Sequence, residues 1–350
     1  YWSIKDNKNI TIKGKFCIMA TGCLSTINKP HFKNLNKFNG KILHTGNWPH
    51  NKVDLKDKKV GIIGTGSSAI QCIPEIIKDV NHLYVFQRTP HYTVPARNNP
   101  LKYSRDNTLD NPRAPIGYDD DLYVEEVKTH YSNFRLKAQN SVAALALPIN
   151  EESALEVSKY RRNEVYEDRW EKGGVPFIAA FQDLNFNRQA NETAAEFVRS
   201  KIKTLVNDHK TAEMLTPKYP IGCKRLAVDS NYYETFNKPN ISLIDLNTEP
   251  LDEFITNGLS TDKNIYDLDV IILATGFDAM TGTLFNIDIQ GRNNIKLIDK
   301  WAEGPKTYLG LSIESFPNFF TISGPGSPSV LTNMIVSIEQ HVNWIFDCLK

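Results

Sequence analysis

The stretch GIIGTGSSA, residues 61–69, sets Gly64, Gly66 and Ala69 in the spacing G-x-G-x-x-G/A. Glycine at the first position permits a tight turn, and at the second it lets backbone N–H groups approach a pyrophosphate. A small third residue keeps helix and strand in contact, with the helix N-terminus facing the anion. Thr65, Ser67, Ser68 and Gln71 complete the candidate cofactor-binding set on this loop. Roughly 20 residues on, where an acid would accept from a ribose 2′-hydroxyl, stand Gln87, Arg88 and Thr89. A cation and a hydroxyl suit a 2′-phosphate, because guanidinium grips phosphate in two-pronged fashion whereas a carboxylate would repel it. NADPH is therefore expected in preference to NADH. The plainer alternative is a tight strand-to-helix turn followed by a solvated strand-end arginine.

These residues need a strand, a helix and a second strand to position them. KVGIIGTG reads as strand and turn, SSAIQCIPEIIKDV as helix and HLYVFQR as the next strand, a compact βαβ unit over 60–87. Residues 10–22 alternate and then become continuously apolar before Ala-Thr-Gly, and LDVIILATG repeats the pattern at 268–276. Two buried strands with the same ending fit a protein with two dinucleotide-binding domains better than a repeat array. From 118 to 215 the periods are helical and rich in charge and tyrosine, which predicts a helical insertion entered through the Asn- and Pro-rich loop 96–118. Short strands return in ISLIDL, VIILATG and NFFTISG before a final helix. The expected fold class is α/β, Rossmann-like with two dinucleotide-binding domains and a helical insertion.

Composition narrows the partners. The 350 residues carry 41 Lys and Arg against 40 Asp and Glu, a net charge of +1 that offers no electrostatic footprint for nucleic acid or an anionic membrane. Five scattered cysteines without a CxxC pair suggest neither a disulfide framework nor a zinc site, and no metal is expected. Without an apolar run of about 18 residues, the reading is a soluble cytoplasmic protein that handles small molecules. The chain has no initiator Met, opens inside an apparent strand and stops inside an amphipathic helical pattern, so it reads as a fragment.

One further stretch has aromatics, glycine and histidine at fixed spacing but no hydrophobic period: FNGKILHTGNWP, residues 38–49. Its Phe38, Gly40, His44, Trp48 and Pro49 resemble the fingerprint of the Baeyer-Villiger monooxygenases, flavin enzymes that use NADPH and O2 to turn ketones into esters or lactones. The likeness extends along nearly the whole chain through FQRTPHYTVPARN, GCKRLAVDSNYYETFN, ATGFDAMTG and GPGSPSVLTNMIVSIEQH. It is strongest to the phenylacetone and cyclohexanone monooxygenase group. Flavin-containing monooxygenases that oxidise nitrogen and sulfur have a similar fingerprint without the Trp-Pro pair.

The resemblance implies FAD and NADPH as cofactors and a flavin C4a-peroxide as the oxidant. It implies that Arg225 is the fixed cation beside that oxidant, that Lys224 meets the nicotinamide cofactor's 2′-phosphate, and that His44 and Trp48 couple the domains as a hinge rather than as acid or base. By the same likeness Ser329, Val330, Leu331 and Met334 line the ketone pocket, and the run Gly324–Ser329 opens the final long helix. Asp278 is read as structural. The domains implied are 1–55 as part of a FAD-binding domain plus linker, 56–117 and 216–275 as the NADP-binding domain, 118–215 as the insertion and 276–350 as the returning FAD-binding part. Ketone and O2 are the expected partners, and a monomer or homodimer the expected state. The family's N-terminal G-x-G-x-x-G and its C-terminal region have no counterpart in the chain, so the isolated fragment is expected to be inactive. The alternatives are an N- or S-oxidising flavin monooxygenase and a truncated, non-catalytic NADP-binding fragment. A disulfide reductase of the same architecture would need a CxxC or CxxxxC pair, which is lacking.

Overall fold

The computed structural model describes residues 1–97, 128, 133–145, 147 and 149–350. Most of the expected loop 96–118 and the first part of the expected insertion lie outside them. The chain forms two compact units. One comprises the described residues of Lys29–Ile116 and Leu147–Gly276; the other comprises Tyr1–Asn28, the described residues of Gly117–Ala146, and Phe277–Lys350.

In the first unit five short strands make a parallel sheet, in the order Lys41–His44, Val270–Leu273, Lys59–Ile63, His82–Gln87, Ile241–Asp245. Such a sheet is covered on both faces, and its strand Val270–Leu273 is accordingly apolar and buried at every position rather than at every second one. Val60, Ile62, Leu83, Val85, Val270 and Ile272 point to one core, and Ile63, Phe86, Ile271 and Leu273 to another. The first core is closed by the helix Ser67–Ile76 and by the helices Lys159–Lys172, Arg188–Leu205 and His209–Leu215. The second is closed by a three-stranded antiparallel sheet, Leu251–Ile255, Gly258–Thr261 and Ile265–Asp267. Nothing in the hydrophobic pattern announces that small sheet, because its strands are only three to five residues long and carry little apolar alternation.

Local signals set the helix limits. Ser158 accepts from the Arg161 N–H at 3.1 Å to start its helix, and Gly173 ends it with φ +69 where a Cβ would lie 2.3 Å from the Pro95 carbonyl oxygen. Asn187 caps the next helix through the Gln189 and Ala190 N–H groups. Tyr166, Trp170, Phe177, Phe181 and Phe197 stack between these elements, each buried side chain contributing roughly 1.5–3 kcal/mol. The expected βαβ unit is present, but its helix stops at Ile76 instead of running to Val80. Beyond it the bonds tighten to three-residue turns, the Lys78 N–H reaching the Glu75 carbonyl and the Asp79 N–H the Ile76 carbonyl.

In the second unit the strand expected over 10–22 is two strands. Thr11–Gly14 pairs antiparallel with Trp2–Lys5, and Cys17–Met19 pairs parallel with Phe319–Thr321. The change of partner breaks the ladder between Gly14 and Cys17. Their core holds Cys17, Leu297, Trp301, Ile313, Phe316 and Phe319. The long helix is Met334–Leu349, capped by Asn333 rather than opened by Gly324–Ser329; the Asn333 side chain accepts from the Ile335 N–H at 3.1 Å. Residues 329–331 form a separate short turn before it. Among the described residues, no helix is long and apolar enough to cross a membrane.

Candidate functional site

The glycine loop leaves the strand Lys59–Ile63 and enters the helix Ser67–Ile76. Gly64 has φ +111, and a Cβ there would sit 2.5 Å from the Ala274 carbonyl oxygen, so only glycine fits between two adjacent strand ends. Gly66 caps the helix with no side chain, and no atom lies within 4 Å of where its Cβ would be. The first intrahelical bond is from the Ile70 N–H to the Gly66 carbonyl, at 3.0 Å. The N–H groups of Ser67, Ser68 and Ala69 thus have no acceptor among the described residues, beside open space. Unsatisfied donors at the positive end of a helix dipole suit a phosphate. Thr65 plays a different part: its buried hydroxyl donates to the Thr89 carbonyl at 2.8 Å and ties the loop to the next strand end. Ser67 and Gln71 are exposed, and Ser68 is half-buried. A cleft of about 430 Å³ runs along the helix, lined by Thr45, Trp48, Ser68, Gln71, Cys72 and Glu75 among others.

Arg88 is exposed at the end of the strand His82–Gln87 and makes no ion pair with the described residues. Lys224 and Arg225 are exposed on the loop that precedes the strand Ala227–Asp229, which pairs with Thr93–Pro95. The structure therefore brings the Arg88–Thr89 segment and the Lys224–Arg225 loop to neighbouring positions in one unit. The strand Ala227–Asp229 ends in buried Asp229, whose carboxylate accepts from the Thr93 hydroxyl and from the Tyr232 N–H. Burial pushes this carboxyl up from its ordinary value. The sequence assigns no role to Asp229, Tyr92 or Tyr219, since these partners, at Thr93, Pro217 and Pro90, lie more than 100 residues away along the chain.

The F-x-G-x-x-x-H-x-x-x-W stretch has a structural reason for each defined residue. Phe38 is buried and its ring folds over Gly40, where a Cβ would lie 2.3 Å from the ring and 2.5 Å from the Asp269 carbonyl oxygen. That close approach lets Lys41–His44 lie beside Val270–Leu273 as an edge strand. His44 is buried, and its Nδ1 accepts from the Gly46 N–H at 3.0 Å. A ring that accepts at Nδ1 carries its proton on Nε2, which lies 3.2 Å from the Thr275 hydroxyl oxygen. His44 thereby fastens one strand end to the next, and Trp48 reaches the cleft wall. The missing hydrophobic period follows from an edge strand of four residues with two exposed and two buried.

Ser329, Val330, Leu331 and Met334 lie in the other unit, at the short turn and the first residue of the long helix. Ser329 is buried with its hydroxyl 3.6 Å from the Met280 sulfur, whereas Leu331 is 81% exposed. Nearby, Ser323 is buried, its hydroxyl has no partner among the described residues, and its N–H donates to His341 Nδ1 at 3.2 Å.

No family model matches the chain. It is 39% identical to a Baeyer-Villiger monooxygenase of Pseudooceanicola batsensis over 99% of its own length and 60% of that protein's. It is 36% identical to a cyclohexanone 1,2-monooxygenase of an Acinetobacter species, over 100% of the chain and 61% of the relative. The crystal structure of OTEMO in complex with FAD and NADP superposes with a TM-score of 0.90 at 35% identity, over 99% of this chain and 63% of that one. The chain spans about three-fifths of the length of the curated relatives it matches. Over the whole of its own length, the chain is a homologue of the Baeyer-Villiger monooxygenases.

Proposed function

We propose that the chain forms the NADP-binding part and a portion of the FAD-binding part of a Baeyer-Villiger monooxygenase. Such an enzyme uses NADPH, FAD and O2 to insert one oxygen atom next to a ketone carbonyl and give an ester or lactone. The observation that carries this reading is the joining of two features in one sheet: a helix N-terminus with unsatisfied N–H groups over open space, and the His44–Thr275 clasp that the fingerprint residues build beside it.

In this reading the N–H groups of Ser67, Ser68 and Ala69 receive the pyrophosphate of NADPH, and Arg88, Thr89 and Lys224 receive its 2′-phosphate. Arg225 supplies a cation that cannot lose its proton, held where negative charge grows on the ketone oxygen. Ser329, Val330, Leu331 and Met334 shape the ketone pocket, and His44 and Trp48 couple the dinucleotide-binding domains. Toward FAD the second unit offers the Ala20-Thr21-Gly22 strand end and the loop after Ser323, whose hydroxyl lacks a partner among the described residues. Bound FAD and NADPH supply oxygen activation and hydride. The protein's own part is to bind, orient and balance charge. The five free cysteines support a cytoplasmic setting, and a monomer or homodimer would serve this chemistry.

The test is flavin absorbance and NADPH oxidation with a panel of ketones, amines and sulfides, on the chain alone and on a polypeptide of the relatives' length. Ketone-to-ester turnover, reduced roughly 100-fold or more by Arg225→Ala while flavin reduction persists, supports the reading. Turnover of amines or sulfides alone overturns it in favour of N- or S-oxidation. NADPH binding without flavin binding at either length leaves a non-catalytic NADP-binding module.

A further inference from the structure

Two tyrosines without a part in the reaction hold the basic loop in place. Tyr92 is 1% exposed, and its single hydroxyl proton is shared between the carbonyls of Tyr219 at 2.9 Å and Pro217 at 3.2 Å. Tyr219 returns a bond from its own hydroxyl to the Pro90 carbonyl at 3.2 Å, and the two rings meet edge to face with centroids 5.3 Å apart. The Lys224 ammonium lies 5.0 Å from the centre of the Tyr219 ring. The helix Arg188–Leu205 adds two more ties: Arg199 Nε to the Pro217 carbonyl at 2.9 Å and Asn191 Nδ2 to the Ile221 carbonyl at 2.8 Å. Pro90 follows directly on Arg88 and Thr89, and Tyr92 comes two residues later. One short segment therefore bears Arg88 and also anchors the platform on which Lys224 rests.

We propose that Tyr92 and Tyr219 are specificity-determining positioning residues: by fixing the Lys224 platform to the Arg88 segment they set the preference for a dinucleotide with a 2′-phosphate over one with a free ribose hydroxyl. The inference rests on the reading that these two cations receive that phosphate. Lysine brings a compact charge on a flexible stem, and its rotamer freedom resists being held in one place unless a surface already favours it. The face of a tyrosine ring is such a surface. Burial pushes both phenols up, Tyr219 to about 12, so each stays a hydrogen-bond donor at ordinary pH.

The experiment measures NADP+ and NAD+ affinity calorimetrically on the full 350-residue chain. Tyr92→Phe removes only the hydroxyl, and Tyr219→Leu removes the ring platform. Both lose NADP+ affinity roughly tenfold, while NAD+ affinity changes by less than about twofold. Tyr166→Phe, which deletes a buried hydroxyl bonded to Thr193 at 2.7 Å in the same unit, leaves the ratio as it was. An unchanged ratio, or equal losses for both nucleotides, overturns the positioning role. If Tyr92→Phe fails to fold, the Leu variant of the half-buried Tyr219 decides the same question. A wild-type chain that binds both nucleotides equally overturns the 2′-phosphate reading itself, a different result from a variant that keeps the preference.

Discussion

The chain ends two parallel strands in the same tripeptide, and the two ends lead different lives. Ala20-Thr21-Gly22 follows Cys17–Met19, which has one strand partner among the described residues, Phe319–Thr321. Ala274-Thr275-Gly276 follows Val270–Leu273, which is paired on both sides. Both glycines adopt the left-handed region, at φ +77 and +79, so the local turn is the same. The surroundings are not. Ala274 donates its N–H to the Ile63 carbonyl at 2.9 Å and presses its own carbonyl against Gly64, and Thr275 meets His44. At Thr21 the tie is local, the Ser25 hydroxyl donating to its carbonyl at 2.7 Å. A histidine serves each unit in the same way: His44 Nδ1 accepts from Gly46 and His341 Nδ1 accepts from Ser323. Identical residues thus give the same local turn, and neighbours decide what that turn is tied to.

The difference between the two ends is most forcibly removed at Gly64. Gly64→Ala places a Cβ against backbone at a φ that L-residues avoid, and is expected to lower stability by about 3 kcal/mol and to abolish NADP+ binding. Thermal unfolding and calorimetry read both effects.

A smaller effect comes from pH. Burial holds His341 below its ordinary value of 6.5, so the folded chain binds fewer protons there than the unfolded chain. Its stabilising effect is therefore complete above about pH 6.5 and is lost as the pH falls towards the lowered folded value, at no more than about 1.4 kcal/mol per pH unit. His341→Gln should flatten that part of the stability–pH curve, and urea titrations from about pH 7.5 down to about 5, the span in which histidine changes charge, would show it. An unaltered slope would mean that His341 is not buried as a neutral ring.

The smallest effects bear on the likeness of the two turns. Gly276→Ala meets no atom within 4 Å and Gly22→Ala meets only the movable Ser25 hydroxyl, so each should cost roughly 1 kcal/mol, from backbone conformation alone. A much larger loss at one of them in equilibrium unfolding would show that the turns are not equivalent.

Near neighbours along the chain suffice to specify the strand–helix–strand order of the βαβ unit, the left-handed turns at Gly22 and Gly276 and the helices with Ser158 or Asn187 at their heads. Their signals are steric or hydrogen-bonded within a few residues, so a short window contains the cause. The fingerprint was legible as a pattern of residues but not as an edge strand, because the partner that makes Lys41–His44 a strand is Val270–Leu273, far along the chain. Gly40 shows the same limit: its need to be glycine comes from Phe38 nearby and from Asp269 far away. The break between Thr11–Gly14 and Cys17–Met19, the late start of the helix Met334–Leu349 and the tyrosine pair under Lys224 were likewise settled only in three dimensions. Long-range pairing selects one partner among many of similar local propensity, and a single polar atom finds its acceptor only once the backbones that carry both are in place.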